Sequence, residues 1–81
     1  MVVEFVLNGH CIETAARKRY EQIVLELLKR DDEKLERELE FITEFLKKAD
    51  FGELRRMGFD GSRKIRVRVK KVDGKFIVEE L

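Results

Sequence analysis

The stretch KIRVRVKKVDGKFIVEEL, residues 64–81, decides the fold. Two apolar-alternating runs flank Asp73-Gly74, and Asp-Gly between such runs is a strong two-residue hairpin signal because both turn positions need positive φ. A turn there pairs Val72 with Lys75, Val69 with Val78 and Arg68 with Glu79. Strand alternation then puts Ile65, Val67, Val69, Phe76 and Val78 on one face, towards a core. Lys64, Arg66, Arg68 and Lys70 point the other way, beside Ile77, Glu79 and Leu81.

The other end of the chain carries the same signature. In VVEFVL, residues 2–7, Val3, Phe5 and Leu7 share a face, and Asn8-Gly9 follows at once. This predicts a second hairpin, with Leu7 opposite His10, Phe5 opposite Ile12 and Val3 opposite Thr14. It would also set Val6 against Cys11 and Glu4 against Glu13, the latter a like-charge pair that weakens the register. The rival reading starts a helix near His10.

Between the two ends the period changes to that of helices. Ala16, Tyr20, Ile23, Val24, Leu27 and Leu28 form one stripe, with Thr14 as its expected N-cap. Leu35, Leu39, Ile42, Leu46 and Ala49 form another, widened by Phe41 and Phe45. The two stripes differ in direction, which suits a break at Asp31-Asp32. No Gly or Pro lies between Gly9 and Gly52, so one unbroken helix, about 55 Å long, is the alternative and would need an intertwined dimer. Asp50 and Glu53 have capping-box spacing, Gly58 can end the short helix they begin, and FDGSRK reads as a loop. The sum is α+β: β-β-α-α-β-β, two hairpins forming a small sheet packed on one face by two helices, in a single domain over residues 1–81.

Composition sets the limits on function. The chain has 81 residues, one Cys and one His, which excludes an internal disulfide and any Cys/His metal cluster. No apolar run approaches a membrane span and no signal pattern opens the chain, so a cytoplasmic protein without metal or cofactor is expected. Charged residues make up 43% of the chain, with only one Asn and one Gln, a bias that points to a thermophilic source. A domain this small buries a modest fraction of its surface, which favours a homodimer.

The overall balance of 18 basic against 17 acidic side chains hides a separation. Residues 31–50 hold eight acidic and four basic groups, whereas 51–71 hold eight basic and two acidic. Arg63, Lys64, Arg66, Arg68 and Lys70 therefore form the predicted contact set for an RNA or DNA backbone, since alternate strand positions approach the spacing of phosphates along a single strand. No aromatic side chain accompanies them for base stacking, and basic residues on an exposed strand also serve simply to keep it soluble. Arg17, Lys18 and Arg19 sit unfavourably in the first turns of a helix, where Glu13 or Glu21 can offset them. Exposed Val2, Val6, Ile77 and Leu81, with the wide arc containing Phe41 and Phe45, suggest self-association. Phe41, Phe45, Ile77 and Leu81 are the predicted dimer interface.

Catalytic constellations are weak. Cys11 and Arg17 have the bare spacing of the cysteine-phosphatase signature, but the five residues between them contain no Gly and include Glu13, which opposes an anion. His10 stands alone, Glu79 and Glu80 point to opposite faces, and Asp60-Gly61-Ser62-Arg63 lacks the phosphate-loop pattern. The sequence thus predicts a small non-enzymatic binding protein, taking nucleic acid or a ribonucleoprotein through its basic C-terminal hairpin. The alternative is a homodimeric structural or regulatory protein–protein interaction module.

Overall fold

A computed structural model describes all residues, Met1–Leu81. Its elements are β1 (Val2–Leu7), α1 (Ile12–Leu27), α2 (Glu33–Lys48), the short α3 (Phe51–Arg56), β2 (Ile65–Val72) and β3 (Lys75–Glu80). The three strands form one antiparallel sheet in the order β1-β2-β3. The α+β class holds, and so does the C-terminal hairpin in the register expected from its turn: Val72 pairs with Lys75, Val69 with Val78 and Arg68 with Glu79. Asp73 and Gly74 adopt φ of 51° and 77°, the left-handed pair that this turn requires.

The N-terminal hairpin does not form. Residues 12–14 open α1, and the strand expected over 10–14 is absent, which leaves three strands instead of four. Two competing interactions explain the outcome. Pairing β1 with β2 sets Val3 against Val69 and Phe5 against Val67, and it gives Glu4 two arginines in place of Glu13. The helix in turn extends back to Ile12 and buries it completely, on the same face as Ala16. Cys11, not Thr14, is the N-cap residue.

The start of α1 is docked on the loop after α3. The Ile12 amide donates to the Phe59 carbonyl, and the Gly9 amide donates to that of Gly61, both at 3.2 Å. Orphan amides at a helix start need such partners. Gly61 has φ of 83° and lies so close to the His10 backbone that a side chain there would clash with it. Only glycine satisfies both conditions.

The remaining boundaries follow their capping residues. The Asp32 carboxylate accepts from the amides of Lys34 and Leu35 (2.9 and 3.2 Å), which fixes the break between α1 and α2 and removes the single-helix alternative. Asp50 accepts from the Glu53 amide at 3.0 Å. At the other end of α3, Gly58 turns the chain with φ of 102° while the Phe59 amide donates to the Leu54 carbonyl and the Phe59 ring enters the core.

Helices cover one face of the sheet only. Val3, Phe5, Leu7, Val67 and Val69 meet Ile12, Ala16 and Ile23 of α1 and Phe41, Ile42 and Phe45 of α2. The resulting two-layer body measures 37 × 30 × 21 Å. No helix is long and apolar enough to cross a membrane.

Candidate functional site

The uncovered face of the sheet carries the basic row. Alternation along β2 places Arg66, Arg68 and Lys70 there, with Val2, Glu4 and Val6 of β1 on one side and Ile77, Glu79 and Leu81 on the other. The structure therefore brings together three of the five basic residues expected to contact phosphates. Arg63 and Lys64 lie in the lead-in to β2. All but Lys64 already have carboxylate partners: Arg66 and Arg68 reach the two oxygens of Glu4 at 3.0 and 3.4 Å, Lys70 holds Glu79 at 2.6 Å, and Arg63 holds Glu80 at 2.9 Å. The Lys70 ammonium, with Arg68 behind it, keeps the Glu79 carboxyl below its ordinary pKa. The row is a mixed-charge ladder flanked by apolar corners.

The four residues expected at a dimer interface separate into two groups. Ile77 and Leu81 are exposed on the open face, whereas Phe41 and Phe45 are buried, at 8% and 1% exposure. The wide apolar arc of α2 needs no partner subunit, because Phe76 from β3 meets both rings edge-on at 5.4 Å and Phe51 meets Phe45 at 5.3 Å. Such aromatic pairs contribute about 0.5–1.5 kcal/mol beyond the area they bury.

In the order β1-β2-β3, β3 is an edge. The Leu81 amide donates to the Arg66 carbonyl at 2.8 Å, so by alternation Lys75, Ile77 and Glu79 also direct their backbone groups at β2. Phe76, Val78 and Glu80 direct theirs outward, where no strand receives them. Beside this edge runs a groove of ≈ 270 Å³, floored by Phe76 and Val78 and walled by Ala49, Leu54 and Met57, with Asp50 and Glu53 at its rim. Met57 is 58% exposed. Natural edge strands are usually blunted by proline, a bulge or an inward-pointing charge. In KFIVEE there is no proline, and the one charge on the helix-covered face, Glu80, sits at the strand's end and is held by Arg63, so Phe76 and Val78 keep a pairable backbone over an apolar floor. The sequence showed Phe76 and Val78 as core-facing, but it gave no sign that β3 lies at an edge, because strand order is a long-range property.

The opposite edge, β1, differs in chemistry. The hollow next to it is bordered by His10, Lys18, Arg19 and Gln22. Arg19 is bound by both oxygens of Glu38, which raises its pKa further, and Lys18 lies 3.0 Å from the His10 ring. These contacts, with Arg17 on Glu13 at 3.0 Å, account for the cationic first turns of α1.

Cys11 resembles a phosphatase nucleophile in spacing only. The residues that would have to curl into an anion cradle are the first turns of α1, with Ile12 and Ala16 in the core, and Arg17 points to solvent. The Thr14 hydroxyl, 3.4 Å away, and the Thr14 and Glu13 amides lower the thiol pKa against a smaller opposing effect of burial. The Arg55 charge adds the smallest contribution in the same direction.

A protein-family model matches residues 1–79, nearly the whole chain. The chain belongs to that family. It is similar to an uncharacterized protein of Archaeoglobus fulgidus, with 64% identity over 85 aligned residues that cover all of both chains. No solved structure matches it.

Proposed function

We propose that this chain is a small, non-enzymatic protein-binding module that takes up an extended segment of another polypeptide by strand addition to β3. The observation that carries this reading is the coincidence of an unpaired backbone edge at Phe76, Val78 and Glu80 with an apolar groove beside it. Main-chain bonds to such an edge supply affinity, and pockets for alternate side chains supply selectivity. Leu54 and Met57 would receive the inward-facing side chains of the added strand.

Selection from a displayed library of random peptides tests the proposal. Enrichment of sequences with alternating apolar residues, lost on the Met57→Glu chain, is the expected outcome. A library that yields no enrichment, or peptides held equally well by that variant, refutes it.

A second reading places a nucleic acid or ribonucleoprotein on the open face, and the single row of Arg66, Arg68 and Lys70 favours it. Every phosphate there has to displace Glu4 or Glu79, so affinity must come from the difference between two anionic partners. Filter binding to RNA and DNA across a salt series separates the readings. Steeply salt-dependent, micromolar or tighter affinity supports the polyanion, and no binding at low salt ends it. Under either reading, the free thiol of Cys11 suits a cytoplasmic location and the dense surface ion pairs suit a thermophilic source.

A further inference from the structure

The added strand can be identified from the residues that β3 itself presents. We propose that it is β3 of a second copy of this chain, paired antiparallel across a two-fold axis at Ile77, so that two three-stranded sheets become one of six strands. The inference rests on the strand-addition reading above and specifies its occupant.

The register follows from charge and shape. Antiparallel pairing of β3 with itself about Ile77 sets Phe76 against Val78 of the partner subunit and Lys75 against Glu79 of the partner subunit, each contact occurring twice. Apolar residues then meet on the helix-covered face and opposite charges meet on the open face. Lys75 has no ion pair within its own subunit, and Glu79 has bound only one oxygen, to Lys70. A register shifted to Val78 as centre would instead oppose Phe76 to Glu80 and Ile77 to Glu79, placing carboxylates on apolar groups.

The backbone agrees with the same register. Phe76 and Val78 point their amides and carbonyls outward, so both pairs they form across the junction exchange main-chain bonds. Ile77, with its backbone turned towards β2, becomes the closely spaced pair without direct bonds, where side chains pack tightest. An axis perpendicular to the sheet keeps both helical layers on one side. The two grooves then adjoin, and Leu54 and Met57 of each copy cover the seam. Pairing through β1 lacks this match: its flank carries His10, Lys18, Arg19 and Gln22, and centring on Glu4 opposes two carboxylates.

Sedimentation equilibrium of the intact chain, with circular dichroism to confirm folding, tests the proposal. Wild type should approach twice the monomer mass as concentration rises towards ~1 mM, and Ile77→Lys, at an exposed position, should weaken the dimer about thirtyfold or more. Lys75→Glu and Glu79→Lys should each weaken it when alone, and mixing the two variants should restore a heterodimer with opposite charges at both crossings. In a Cys11→Ser background, Ile77→Cys should form a disulfide-linked dimer under mild oxidation while Val6→Cys, on the far strand, does not. Monomer mass at every concentration, a dimer indifferent to Ile77→Lys, or cross-linking at Val6 and not at Ile77 overturns the proposal. If the chain stays monomeric yet still enriches peptides sensitive to Met57→Glu, the second copy is the wrong occupant and strand addition stands. If neither is seen, strand addition falls as well.

Discussion

Replacing Gly61 with alanine should be among the most damaging single-atom additions to this protein. Two effects combine. A residue with a Cβ held at φ of 83° loses about 1–2 kcal/mol relative to glycine. The new methyl group also collides with the His10 backbone, and the collision is relieved only by separating the loops at residues 8–11 and 58–62. That separation breaks the Gly9–Gly61 and Ile12–Phe59 hydrogen bonds, each contributing about 0.5–1.5 kcal/mol net. The expected loss is about 3 kcal/mol. Gly9→Ala and Gly74→Ala provide internal references, since both positions have φ of 77° and open space around the missing side chain. They should lose only the backbone part, about 1–2 kcal/mol. Urea unfolding at one fixed protein concentration reads all three as shifts in midpoint at constant slope. If Gly61→Ala falls within about 0.5 kcal/mol of the two references, a spread expected of unremarkable surface sites, the docking of these loops does not constrain the fold as argued.

Other perturbations test other parts of the molecule. Glu44, bound by Lys48 and Lys71, has a carboxyl pKa lowered from the ordinary 4.5 to about 2, so its contribution is complete above pH 4.5 and lost as pH falls towards 2. Thermal melts across that window should show a shallower acid slope for Glu44→Gln than for wild type, and equal slopes would remove the ion pair from the account. Phe45→Ala empties a site touched by Phe51 and Phe76 and should cost about 3–5 kcal/mol by denaturant titration; a loss below about 1 kcal/mol would mean the aromatic cluster is not part of the core. Cys11→Ser should raise stability by about 0.5–1 kcal/mol, because a serine hydroxyl is a strong N-cap acceptor at a position where the thiol makes no cap hydrogen bond. A destabilised Cys11→Ser chain would show instead that the thiol is needed for packing.

What the sequence revealed depended on how local each determinant was. Asp73-Gly74 specified its hairpin to the residue, and Asp32, Asp50 and Gly58 marked helix ends, because turns and caps are settled within a few positions. Asn8-Gly9 carried an equally strong local signal and misled. Gly9 does adopt positive φ, at 77°, but the chain beyond it is captured by the Phe59 and Gly61 carbonyls, about fifty residues away in sequence. The order β1-β2-β3 makes β3 an edge, and strand order is set by long-range pairing, so the groove along it was invisible from sequence. The basic row was visible, since strand alternation alone assigns Arg66, Arg68 and Lys70 to one face. Its neutralisation by Glu4 was not, because Glu4 arrives from the other end of the chain. Phe41 and Phe45 looked excessive for a thin sheet until Phe76 was placed between them.

The pairing of β1 with β2 also orders events during synthesis. Val2–Leu7 leaves the ribosome well before β2, yet the residues that complete its hydrogen bonding begin at Ile65, so the intervening helices must be made before that strand can be placed. Until then, VVEFVL is an extended apolar segment with no partner, the kind most prone to join a neighbouring nascent chain. The helices α1 and α2, built from nearby residues, can form and pair before it docks. Conditions that slow translation near the C-terminus should therefore lengthen the period of risk for the N-terminus.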